Sequence, residues 1–275
     1  MDDIKLIGSP WITIGVPYNS DVNFMKKVYA GAVSYGLGLS SIDYIYKKYI
    51  SNLNMIKFTN DFDSKLLYVT TSLKQGVIDI LEYLMSIEKP DVPCLFAAGA
   101  AYTRLQNTFK AAILCLRTDL HFETLAMERI LLEQLAWICK VHNYEGDFFK
   151  VLPNKCIGEL KKLIPSAGRL YGFLSDKLHI QPNTTIDYIS TKENSLDIVL
   201  REKEQTIQNA YLLLKLFDMY CIVGEYIYAD LLKDYKYLKK DETGKYIPSE
   251  GRESLRLTSK LNGILDDLEK IISAS

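Results

Sequence analysis

Histidine is scarce: His121, His142 and His179 are the only three in 275 residues. That scarcity excludes most histidine-based metal and catalytic schemes. H-E-x-x-H is absent, and a di-iron bundle, which needs two E-x-x-H motifs, finds only one D-x-x-H, Asp176 to His179. Cysteine is also sparse and badly spaced for metal. Cys94, Cys115, Cys139, Cys156 and Cys221 form no C-x-x-C pair, and their odd number suits reduced thiols in a cytoplasmic setting. No phosphate-binding signature of the G-x-x-x-x-G-K-[ST] or G-x-G-x-x-G type occurs, and no G-x-S-x-G elbow. Long apolar runs are lacking too. A membrane span needs roughly 18 apolar residues; the nearest approach, around residues 210–232, is cut by Lys215, Asp218 and Glu225. The opening MDDIKLIGSPW has no basic stretch followed by an apolar one, so it does not read as a signal peptide. Net charge is −1, so nothing in the total demands a polyanionic partner. The Lys-Lys pairs at 26–27, 47–48, 161–162 and 239–240 are dispersed and read as solvated helix faces.

What is present is helical periodicity. Apolar positions recur every three or four residues over about 21–50, with Gly31, Gly36 and Gly38 predicting a kink or a close contact. Further helices are predicted over about 63–87, 94–116, 120–142, a short piece before Pro165, 166–180, 201–238 and 250–273. EKPDVP ends the second of these, because proline cannot donate a backbone bond. AAGAA at 97–101 would let another backbone approach closely, and Asp119 is positioned to cap the helix that follows it. The helix over 201–238 is apolar around much of its circumference and is expected at the centre. Residues 1–19 form an arm with no evident pairing strand, and KKDETGKYIPSEG is an exposed loop. The expectation is an all-α protein, a single multi-helix bundle over residues 1–275, or alternatively an N-terminal helical piece (1–90) on a C-terminal bundle (91–275).

Two stretches stand out. In ERILLEQLAWI, Arg129 and Glu133 lie one turn apart among apolar neighbours. In RLYGFLSDKLH, Tyr171, Ser175 and His179 share one helix face, because steps of four residues advance only about 40°. Three readings compete. Ser175 with His179 imitates a nucleophile and base, although a mid-helix serine more often bonds a carbonyl one turn back. His179 with Arg129 could serve catalysis on a phosphate. Or the five residues form a polar clasp in which Glu133 accepts hydrogen bonds from Tyr171, Ser175 and His179; on that reading Glu133→Ala costs roughly 2–4 kcal/mol. Arg117, Asp119 and His121 are secondary candidates at a predicted helix break.

The pairing of R-x-x-x-E (Arg129, Glu133) with L-Y-x-x-L-S-x-x-x-H (Leu170, Tyr171, Leu174, Ser175, His179) resembles a widespread group of bacterial helical proteins placed near the HEPN-like superfamily. The match covers about residues 95–180. The resemblance implies a HEPN-like helical core with N- and C-terminal helical additions, and roles in phage defence, toxin systems or binding. HEPN ribonucleases carry R-x(4–6)-H, the arginine steadying phosphate charge and the histidine moving a proton at the ribose 2′-hydroxyl. This chain departs from that pattern: three residues separate Arg117 from His121, and nine separate Arg169 from His179. The expected function is therefore an interaction or sensor module, with a metal-independent ribonuclease as the alternative. No metal and no cofactor are expected. A protein or a small ligand is the expected partner, with RNA less favoured, no membrane, and a homodimer left open.

Overall fold

Helical periodicity becomes helix wherever an apolar stripe finds a neighbour to cover it. The computed structural model describes residues 4–9, 12–17, 19–39, 41–52, 61–178, 189–192, 195–198 and 203–273. Helices dominate it, and the protein is all-α in class. By its internal contacts the chain divides into two units, Met1–Ser64 and Lys65–Ser275.

The first unit begins with strands β1 (Ile4–Ser9) and β2 (Ile12–Pro17), antiparallel with Ile7 opposite Ile14. The expectation that the arm lacks a pairing strand fails, because the arm pairs with itself. The cause is side-chain burial: Ile7 and Val16 pack with Met25 of helix α1 (Val22–Gly36). Asp21 caps α1 by accepting from the amides of Asn23 and Phe24. The expected kink is a full break. Gly38 takes a φ of 63°, a left-handed conformation that a side chain disfavours, and the helix does not continue through it. The chain resumes in α2 (Ile42–Ile45) and a π-helical turn (Tyr46–Ile50). Ala30, Ile45 and Ile50 make a second small core there.

The second unit holds α3 (Asp61–Met85) from Lys65 onward, α4 (Pro93–Arg117), α5 (His121–Val141), α6 (Ile157–Leu163), α7 (Ala167–Leu178), α8 (Lys203–Tyr226) and α9 (Glu253–Ser273). It also has two antiparallel hairpins, β3 (Ile189–Lys192) with β4 (Ser195–Ile198) and β5 (Leu238–Lys240) with β6 (Tyr246–Pro248). α5 is central, packed on α4, α6, α7 and α8. α8 lies beside it and is buried on nearly every side, from Ile207 to Val223. The predicted helix over 201–238 therefore ends early. After Tyr226 the chain makes a 3-10 turn at Ala229–Leu231 and then enters β5. The expected exposed loop is the β5–β6 hairpin, turned by Asp241, whose Oδ1 accepts from the amides of Thr243 and Lys245. The expected close approach at AAGAA is real but is made by a side chain: a Cβ on Gly99 would collide with the Tyr228 hydroxyl.

Candidate functional site

α5 presents two faces, one residue out of phase. Thr124, Glu128, Leu131, Leu132 and Leu135 follow the inner stripe and are fully enclosed. Arg129 and Glu133 lie about 100° further round. There Arg129 Nε donates to Glu133 Oε1 at 3.0 Å, with both side chains about one-fifth exposed (22% and 21%). Arg129 also reaches α7. Its Nη2 is 3.5 Å from the Tyr171 hydroxyl, and its guanidinium carbon is 5.5 Å from the centre of that ring. Arg129, Glu133 and Tyr171 are thus brought together, with the arginine at the hub rather than the glutamate. Among the described residues, Glu133 accepts from Arg129 alone. Ser175 Oγ is buried with no hydrogen-bond partner. His179 lies outside the described residues.

Beside the pair opens a cleft of about 560 Å³, lined by Arg129 and Glu133 together with Ala126, Ile130, Leu152, Pro153, Asn154 and Leu178. Among the described residues Arg129 Nη1 finds no hydrogen-bond partner. An arginine donor next to an apolar lining can hold a carboxylate or phosphate oxygen.

The secondary candidates meet at the α4–α5 turn, where each is engaged in the fold. Asp119 does not cap α5. It takes a φ of 56° and its Oδ1 accepts from Thr206 Oγ1 of α8 at 2.8 Å, while Leu120 occupies the capping position with no side-chain bond. Its carboxylate has exchanged a local amide for a partner on another helix. Asn209 Nδ2 lies 3.0 Å from His121 Nδ1 and 3.2 Å from the His121 carbonyl oxygen. A carbonyl only accepts, so that nitrogen must be the amide NH2, His121 Nδ1 accepts, and the imidazole proton sits on Nε2. Asn209 Oδ1 is left without a partner. Arg117 is half-buried and also engaged.

Three acids, two fully enclosed and one partly buried, escape the sequence reading. Glu128 is fully enclosed, neither carboxylate oxygen has a hydrogen bond, and burial pushes its pKa well above the ordinary value. Glu225 of α8 is equally enclosed but accepts four bonds, from the Tyr83 hydroxyl (3.0 Å) and the amides of Lys236, Tyr237 and Leu238 (2.7 Å each). Asp218, two turns before it, takes a bidentate pair from Arg252 (2.7 and 2.6 Å) and a bond from Ser254 Oγ. The signal was available: acids interrupting an apolar helix at a seven-residue spacing share a face and need partners. Among the described residues no group of three or more His, Cys, Asp or Glu side chains gathers closely enough to hold a metal ion, and no helix is long and apolar enough to cross a membrane.

No protein-family model matches the chain, and neither a curated protein nor a solved structure matches it. The class defined by fold and site is a helical protein with an arginine-lined cleft.

Proposed function

We propose that this chain is a helical recognition or sensor module that takes a small ligand bearing an anionic oxygen and an apolar body in the cleft beside Arg129. The single observation that supports it most is the arginine itself: its Nη1 has no partner among the described residues where Ala126, Ile130, Leu152 and Leu178 line the same cleft. Ion-paired on one edge and stacked near Tyr171 on another, the guanidinium is held in place with one edge available, which lowers the entropy lost on binding. The cytoplasm is the setting we infer, and five cysteines free of disulfides support it. Kinship with HEPN-like bacterial proteins, and with it a part in phage defence or stress response, belongs to the same proposal and rests on the motif residues alone.

The ribonuclease alternative is less well supported. His121 Nδ1 is committed to Asn209, and the chain lacks the R-x(4–6)-H spacing. A pair of measurements separates the two. Octanoate, a carboxylate with an apolar tail, should raise the melting temperature of the wild type and not of Arg129→Ala, since a ligand that binds only the folded state stabilises it. Cleavage of single-stranded RNA in the presence of EDTA, abolished by His121→Ala or His179→Ala, would instead establish the nuclease and sink the recognition reading.

A further inference from the structure

The N-terminal unit has a surface that its own small cores do not use. Around the α1–α2 connection, Tyr35 (91% exposed), Leu37 (64%), Leu39, Ile42, Tyr44 and Tyr49 all face outward. Isolated exposed apolar residues need no explanation, but a run of them along one turn does. The turn is fixed in shape: Gly38 sets its left-handed corner, and Leu39 N and Leu39 O are bonded by Ser34, through its carbonyl and its hydroxyl respectively. Charge is the second observation. Residues 22–52 carry Lys26, Lys27, Lys47 and Lys48 against Asp43 alone, in a chain whose net charge is −1. Lys27, Lys47 and Lys48 are exposed. Lys48 Nζ donates to the Tyr44 hydroxyl at 2.6 Å and lies 5.0 and 5.1 Å from the Tyr44 and Tyr49 ring centres.

We propose that this apolar turn with its flanking tyrosines and lysines docks the protein on an anionic lipid surface. Aliphatic side chains at the turn enter the acyl boundary, tyrosines lie at headgroup depth where their hydroxyls stay wet, and lysine ammoniums meet lipid phosphates and carboxylates. The absence of a spanning helix among the described residues leaves this peripheral mode available. Charge argues against the same surface joining a second copy, since a two-fold contact would set lysines against lysines. Single-stranded nucleic acid fits less well. The Tyr44 and Tyr49 rings stand at 81° to one another with Lys48 over both, so they offer no continuous stacking platform, and Leu37, Leu39 and Ile42 would have no partner.

The test is flotation of the full chain with vesicles of phosphatidylcholine alone and of phosphatidylcholine containing phosphatidylserine. Binding is expected only to the anionic vesicles and is released by salt. Lys47→Gln with Lys48→Gln should weaken partitioning roughly thirty-fold, from about five-fold or slightly more per lysine. Leu37→Asp with Leu39→Asp should abolish it while the circular dichroism spectrum stays helical, because both residues are exposed. Tyr35→Trp should show a blue-shifted emission on anionic vesicles. Failure to float, or equal flotation of wild type and both double variants, overturns the proposal. So does binding of a single-stranded RNA oligonucleotide with no vesicle binding, or a dimer in sedimentation velocity that Leu37→Asp dissociates.

Discussion

Glu128 in the middle of α5 and Glu225 near the end of α8 are both fully enclosed, on adjacent helices, yet they do opposite things. Glu225 accepts four hydrogen bonds, three of them from the backbone at 236–238, so its carboxylate turns the chain after α8 and fastens β5 to the helix and to Tyr83 of α3. Glu128 accepts none. A carboxylate moved out of water must recover its lost hydration from donors or give up its charge. The first course makes an acid a structural staple. The second leaves a protonated acid occupying a place that a hydrocarbon would fill better. Burial alone thus says little about what a buried charge contributes; the donor count decides.

The largest effect expected follows from removing the staple. Glu225→Ala would leave three backbone amides and the Tyr83 hydroxyl unpaired inside the protein, and should destabilise it by about 3–5 kcal/mol. Urea unfolding followed by circular dichroism measures this. A loss under about 1 kcal/mol would show that water or a rearranged hairpin satisfies those donors, and the contrast with Glu128 would break.

The opposite sign is expected at Glu128. Glu128→Leu keeps similar volume and removes an unsatisfied polar group, and should stabilise the protein by about 1–3 kcal/mol near neutral pH. The gain depends on pH in a definite direction. Below the ordinary glutamate pKa of 4.5 the side chain is protonated folded and unfolded alike, so it adds no slope. Above it the unfolded state ionises while the folded state holds its proton. Stability then falls as pH rises, by up to about 1.4 kcal/mol per pH unit, until the raised folded pKa is reached. The stability difference between Glu128→Leu and wild type should therefore widen from pH 4 upward. His142 acts on the acid side. Burial holds its imidazole below the ordinary 6.5, so stability is lost as pH falls through that value and the unfolded state takes up the proton. A Glu128→Leu advantage that does not change with pH would mean that Glu128 finds a partner.

Much of the fold was legible because helix signals are local. Predicted limits of 94–116 and 120–142 meet observed helices at Pro93–Arg117 and His121–Val141, and EKPDVP ends α3 as proline chemistry requires. The errors arise where long-range contacts override local pattern. α8 stops at Tyr226, in part because Glu225 draws backbone 236–238 back toward it, and no local pattern foretells that. The β1–β2 hairpin owes its place to Ile7 and Val16 packing on Met25, not to an alternating pattern. At the candidate site, Arg129 and Glu133 were recognisable as charges on an apolar helix. Glu128, one residue earlier, was not singled out, although its phase with Leu131, Leu132 and Leu135 places it on the enclosed face. The test that would have found it is to ask of each charge which stripe it shares, rather than whether it has an opposite charge one turn away.

The smallest effect expected is at Glu133, and it returns the Arg129 pair to the comparison. A clasp centred on Glu133 would resemble Glu225, with several donors lost on truncation and a cost of roughly 2–4 kcal/mol. The geometry supports less. Glu133 has one partner among the described residues, the pair is about one-fifth exposed, and arginine preceding glutamate at this spacing is the weaker order on a helix. The Arg129 contact with Tyr171 does not run through Glu133 and should survive its truncation. Glu133→Ala should therefore cost no more than about 1 kcal/mol, and less at high salt. The guanidinium, freed of its counter-charge, should also hold octanoate more tightly than the wild type does. Thermal melts with and without the carboxylate read both quantities. A cost above about 2 kcal/mol would place Glu133 with Glu225 among the structural staples, and the cleft would lose its claim to be a binding site.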